Sequence, residues 1–321
     1  IAAELQAGTP VVVLDPPETE PRTPERPSRR PAAITPEGGT RLSTLVGVAL
    51  GAALSGARPV VELHAGAREL DGNGSGEPSD ADAAGGGWSI EALAAELAVP
   101  PRGPAGVAVR IVTGPPAPGP GPQLPMPASL GSLLAVPGLV VAAPATAADC
   151  YGLVRAAVRD PRHVVVLESQ SLAASTGELG DEAGALPFGS AEVARHGDRL
   201  TIVAARAMRL PALDAAELLS ARWAIEADVI DPRCLSPFDD DTVASSLART
   251  ARLLVVEDEL LAASWGAALV ARMVATRFGD LDAPPRSVAT PAEAPPAGAP
   301  HASTSDAAEA IATAGRELAV W

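Results

Sequence analysis

Lysine is absent from this chain: all 24 of its basic residues are arginine. That removes Schiff-base chemistry and the phosphate-binding lysine of a P-loop. Aromatic residues make up only 2% of the sequence, which excludes a stacking platform for nucleic-acid bases. The two cysteines, Cys150 and Cys234, are too few for a disulfide framework and have no metal-ligand spacing. Long apolar runs are missing too. The longest, Leu45 to Leu54, is shorter than a membrane span and is stopped by Gly56 and Pro59. Positive charge is in deficit, with 39 acids and a formal charge of −15, so neither nucleic acid nor an anionic membrane is expected as a partner. The N-terminus shows no basic-then-apolar leader, and the expectation is a soluble chain in a reducing, cytoplasmic compartment.

What is present is a 321-residue chain, 47% apolar and rich in Ala, Val and Leu, long enough for two domains with sizeable cores. Its organising stretch is LSTLVGVALGAALSGARPVVE, residues 42 to 62. Gly47, Gly51 and Ser55 fall four apart, so a helix stacks them along one face almost free of side chain, where another backbone can approach. Gly56 is placed for a left-handed cap, and Arg58-Pro59 starts an extended run. The stretch predicts a helix, a tight turn and a buried strand.

Gly56-Ala57-Arg58-Pro59-Val60-Val61-Glu62 resembles the pyrimidine-binding domain of the beta subunits of thiamine-diphosphate-dependent 2-oxoacid dehydrogenases. Residues 139 to 168, preceded by Pro137-Gly138, have close counterparts in that family: a Pro-Gly-Leu-x-Val-Val-x-Pro segment, a helix rich in Ala and Leu, and a strand ending in Leu-Glu, here Leu167-Glu168. Residues 231 to 239 match the Asp-x-Arg-x-Leu-x-Pro-hydrophobic-Asp turn of that family's second domain. The resemblance implies an α/β protein of two transketolase-like domains, a pyrimidine-binding-type domain over residues 1–183 and a C-terminal-type domain over 184–321. It also implies an alpha-like partner subunit, a second copy of this chain, and thiamine diphosphate with magnesium held where alpha and beta meet.

The pattern of strands alternating with helices agrees, because alternation of that kind builds mostly parallel sheets covered on both faces. Expected helices include Ser89 to Ala98, Ser129 to Leu134, Ala147 to Arg159, Pro211 to Ala221, Asp240 to Arg249 and Trp265 to Arg277. Residues 191–195 and 200–204 suggest a hairpin turning at His196-Gly197-Asp198. Seven prolines between Pro16 and Pro36 exclude helix and central strand there, so residues 16 to 40 are expected to be an extended loop. Residues 66 to 88 and 114 to 128, rich in Gly, Pro and Asp, are expected to be mobile loops.

The resemblance implies that a beta subunit supplies a Glu to the cofactor's aminopyrimidine, an aromatic packed on that ring, and a His near the substrate. Here the Glu position is Leu42, and the nearest acid is Glu37. The His position is Leu124, and His64 is followed by Ala65-Gly66-Ala67 where aromatics are expected. No metal site and no cofactor-binding residue is assigned within the chain. His64, His163 and His196 are expected to be structural, His301 lies in a Pro/Ala tail, and both cysteines are expected to be small buried hydrophobes. The run Asp239 to Asp241 suits a helix N-terminus. The leading expectation is a beta-type subunit that keeps fold and assembly surface (Gly47, Gly51, Ser55) but has lost most of its own catalytic residues, a scaffold or regulatory half of a complex. Two alternatives stay open: an active decarboxylating or ketol-transfer component with Glu37 as a displaced acid, and a free-standing acidic binding protein.

Overall fold

The structure, a computed structural model, describes residues 11–14, 32–33, 42–65, 90–101, 103, 105–113, 130–169, 172, 175–179, 184–260, 264–290 and 304–321. Two sheets carry the fold. The first has seven strands in the order β10-β5-β6-β4-β3-β1-β2. These are β1 (Val11–Leu14), β2 (Ala32–Ala33), β3 (Arg58–Ala65), β4 (Ala108–Thr113), β5 (Val140–Ala142), β6 (Val164–Ser169) and β10 (Cys234–Ser236). The second has five strands in the order β12-β11-β8-β9-β7. They are β7 (Glu192–Arg195), β8 (Leu200–Ala204), β9 (Ala227–Asp231), β11 (Leu253–Leu260) and β12 (Arg286–Thr290). Pairing is parallel except at β10 with β5 and β7 with β9. The expected α/β class with mostly parallel sheets is therefore observed.

Helices cover both faces of each sheet, as period-2 strands buried on two sides require. In β3, Val61 and Leu63 enter the core formed with α1 (Leu42–Leu54), α2 (Ile90–Leu97) and α3 (Leu130–Leu134). Val60 points the other way, toward Leu153, Val154, Ala157 and Val158 of α4 (Ala147–Arg159). Thr146 caps α4, its Oγ1 accepting from Asp149 N–H at 3.1 Å. On the second sheet, α5 (Arg209–Trp223) and α8 (Thr304–Ala319) pack on one face. The other face meets α6 (Asp240–Thr250) and α7 (Trp265–Arg277), and this core runs without a break into that of α1, α2 and α3. Asp239 caps α6 through Thr242 N–H at 3.0 Å, the role expected for the acid run. Among the described residues, no helix is long and apolar enough to cross a membrane.

Three local expectations are corrected. Residues 191–195 and 200–204 are not a hairpin, because β9 lies between β7 and β8. The link runs over the start of β9: Gly197 N–H donates to Asp228 Oδ1 at 2.6 Å, and Arg199 N–H to the Glu226 carbonyl at 2.9 Å. A Cβ on Gly197 would stand 2.4 Å from the Ala227 carbonyl carbon, so only glycine permits this crossing. The segment after Asp231, read as a turn, contains strand β10, which leaves the second sheet to pair with β5 of the first. Within the proline-rich stretch, Ala32–Ala33 forms a short edge strand on β1. The two expected mobile loops lie outside the described residues.

His163 is structural, as expected. Its Nδ1 accepts from Val107 N–H and its Nε2 donates to the Val99 carbonyl, both at 3.0 Å, which fixes one neutral tautomer. Burial holds its pKa below the ordinary histidine value. The unfolded chain therefore binds more protons in that interval, and stability rises with pH across it. The contribution is complete above about pH 6.5 and is lost as pH falls from there through the lowered folded value. His163→Ala is expected to cost about 2–4 kcal/mol, from two backbone groups left unpaired and a cavity. Urea unfolding at pH 5.0, 6.0 and 7.5 should show the wild-type slope between the acid points flattened in the variant; parallel curves would refute the assignment.

Candidate functional site

Helix α1 and strand β3 place the residues that the sequence singled out. Leu42 opens α1 and is 8% exposed, its side chain in the core with Leu45 and Leu63. An apolar group thus fills the position where the resemblance implies a carboxylate. Glu37 and Leu124 lie outside the described residues. His64 belongs to β3, in register with Val112 of β4. The structure does bring Gly47, Gly51 and Ser55 together on one exposed face of α1. A Cβ built on Gly47 or Gly51 meets nothing within 4 Å, and Val48 and Leu54 are exposed beside them at 40% and 58%. No residue of α1 is charged. Gly56 adopts φ +87°, so the cap that ends the helix is as expected.

Charge concentrates elsewhere on the first sheet. Glu62 of β3, Arg110 of β4 and Glu168 of β6 form a row on the α4 side of the strands. Arg110 Nε and Nη2 donate to the two oxygens of Glu168 at 2.7 and 2.8 Å, and Nη1 donates to Glu62. All three side chains are 17–25% exposed. Cys150 of α4 adjoins this row. Burial, with the Glu168 charge, pushes its thiol up to about 12, far from a reactive thiolate. Burial likewise pushes Cys234 up to about 11. Cys234 is buried as expected; Cys150 is half-buried and hydrogen-bonded to Glu168, so it is inert without being a buried hydrophobe.

A second cluster lies where the sheets join. Asp149 of α4, Glu192 of β7 and Asp231 of β9 bring carboxylate oxygens within 4.8 Å of one another. Two arginines enter it. Arg233 Nε lies 2.7 Å from Asp149 and its Nη2 3.0 Å from Glu192; Arg209 Nη2 lies 3.3 Å from Glu192 and its Nε 3.4 Å from Asp231. Burial raises the Asp231 carboxyl to about 7, with the Asp149 charge adding to it. Sequence spacing misses both clusters, because their members are brought together only by sheet register and by the passage of β10 into the first sheet.

The architecture of two helix-covered, mostly parallel sheets is the transketolase-like one. Residues 189–309 match the family described as Transketolase, C-terminal domain. A solved structure described as split gene transketolase, inactive beta4 tetramer, superposes with a TM-score of 0.68 over 99% of this chain and 94% of that one, at 18% identity. About half of the chain is similar to the beta subunits of pyruvate dehydrogenase and of an acetoin oxidoreductase. It is 38% identical over 149 residues to the pyruvate dehydrogenase E1 component subunit beta of Rickettsia bellii, a match of 46% of each chain. Over 148 residues it is 38% identical to the beta subunit of acetoin:2,6-dichlorophenolindophenol oxidoreductase of Cupriavidus necator, 46% of this chain and 44% of that one. The matched region spans about half the length of these relatives.

Proposed function

We propose that this chain is a beta-type subunit of a 2-oxoacid-dehydrogenase-like component that retains fold and assembly surface and has given up its own acid–base groups. Leu42 carries the reading: where the related subunits are expected to offer a carboxylate, an apolar side chain is packed into the core. Its partners are an alpha-like subunit and a second copy of itself, and its two domains divide near residues 183 and 184. The cofactor implied is thiamine diphosphate with magnesium, held chiefly by the alpha-like subunit. The described residues do not fit the beta subunit's share of that site. Glu62 and Glu168 are engaged by Arg110, and Leu42 has no proton to exchange.

The face of Gly47, Gly51 and Ser55, flanked by Val48 and Leu54, supports the assembly half of the reading. An uncharged exposed helix face with almost no side chain suits close packing against another backbone. Space around Gly51 is open, so Gly51→Leu can be accommodated within the chain itself. The variant is expected to keep its circular dichroism and unfolding midpoint while sedimenting as a smaller species than wild type. A wild-type chain that sediments as a monomer, alone and with an alpha-like subunit, would sink the proposal.

A further inference from the structure

We infer that the junction of Asp149, Glu192, Asp231, Arg209 and Arg233 holds one shared proton seated on Asp231. We further infer that its release loosens the passage of the chain from the second sheet into the first, making a pH-sensitive latch. Three carboxylates face two guanidiniums here, so full ionisation leaves one uncompensated negative charge. Asp149 and Asp231 are 1% and 0% exposed, so a charge on either is screened only through the partly exposed Glu192 and Arg233. The two arginines already occupy the approaches to the acids, which leaves a proton, not a metal cation, as the fitting neutraliser.

The hydrogen bonds point to the acid that carries it. Asp149 Oδ2 takes a bond from Thr146 Oγ1 at 2.6 Å, and its Oδ1 lies 2.7 Å from Arg233 Nε. Glu192 Oε2 accepts from Arg233 and Arg209. Asp231 Oδ1 accepts from Arg233 N–H at 2.9 Å, while its buried Oδ2 lies 3.4 Å from Arg209 Nε without forming a hydrogen bond. A proton on Asp231 removes the one negative charge that the two guanidiniums leave unbalanced, and Asp231 is the acid with the fewest hydrogen bonds and close ion pairs to hold that charge. The raised Asp231 carboxyl agrees with this placement. The remaining titratable neighbour, the Cys234 thiol on β10, is buried and stays neutral.

The cluster sits at a mechanical junction. Asp231 ends β9, and Arg233, at φ +55°, turns the chain into β10. The Arg233 carbonyl then accepts from Ala143 N–H at 2.8 Å, just past β5. Repulsion released at Asp231 therefore acts on the β5–β10 pairing. The sign follows: the folded state holds a proton that the unfolded state releases near pH 4, so stability falls as pH rises from there to about 7 and is level above.

Thermal unfolding of the full chain between pH 5.5 and 8.5 tests this with Asp231→Asn and Glu192→Gln. Asp231→Asn imitates the protonated acid and is expected to gain on wild type as pH rises, by several degrees at pH 8, with the gain level beyond. Glu192→Gln removes one negative charge, so the wild-type decline should move to lower pH. A carboxyl-carbon resonance in the wild type should titrate near neutrality and shift acidward in Glu192→Gln. Exchange at Ala143 should accelerate through the same interval in wild type and not in Asp231→Asn. Parallel unfolding profiles for all three proteins, or no carboxyl resonance titrating above pH 5.5, would overturn the latch.

Discussion

Arg110→Ala is expected to lower the unfolding free energy by about 2–4 kcal/mol, because it removes the guanidinium that joins two partly buried carboxylates. The arginine occupies the middle of a parallel sheet, crossing from Glu62 on one neighbouring strand to Glu168 on the other. Without it, Glu62 and Glu168 keep like charges on either side of β4 at 19% and 17% exposure, with little water between. The magnitude is set below that of a fully buried pair because partial exposure screens part of the repulsion. A rescue separates charge from packing. Arg110→Met combined with Glu62→Gln and Glu168→Gln removes every charge while keeping volume, and should recover most of the loss. Denaturant unfolding of the three proteins decides it. An Arg110→Ala chain within 0.5 kcal/mol of wild type, or a triple variant weaker than the single one, would mean that the row contributes nothing as an ion pair.

Much of the fold was legible from periodicity and punctuation. Helix α4 follows from its apolar spacing, α6 from its acid run, and β3 from Gly56 and Pro59. What periodicity cannot supply is pairing. Residues 191–204 look like a hairpin locally, yet the buried Asp228 draws Gly197 across the start of β9 and puts a third strand between. The Asp231 to Asp239 segment matches a family turn, but its strand is defined by a partner, β5, almost a hundred residues away in sequence. β12 and α8 were not anticipated, since the residues before α8 carry a Pro/Ala composition that hides the return of an amphipathic pattern. The site was legible only by comparison of motifs: nothing in the residues alone marks Leu42 as a missing acid. The charged row and the junction cluster depend on register, so no spacing rule reveals them.

Loss of catalysis is the second large effect expected. A positioned acid–base group contributes on the order of a hundredfold to ten-thousandfold, and Leu42 offers none. Other functions of a beta subunit survive such a loss, because backbone packing and interface shape do not need the carboxylate. The most direct measurement is 2-oxoacid decarboxylation by this chain reconstituted with an alpha-like subunit, thiamine diphosphate and magnesium, beside the same pair carrying Glu37→Ala. The account predicts an assembled complex whose turnover stays near background with either chain. Robust wild-type turnover that vanishes with Glu37→Ala would contradict it and make Glu37 the displaced acid.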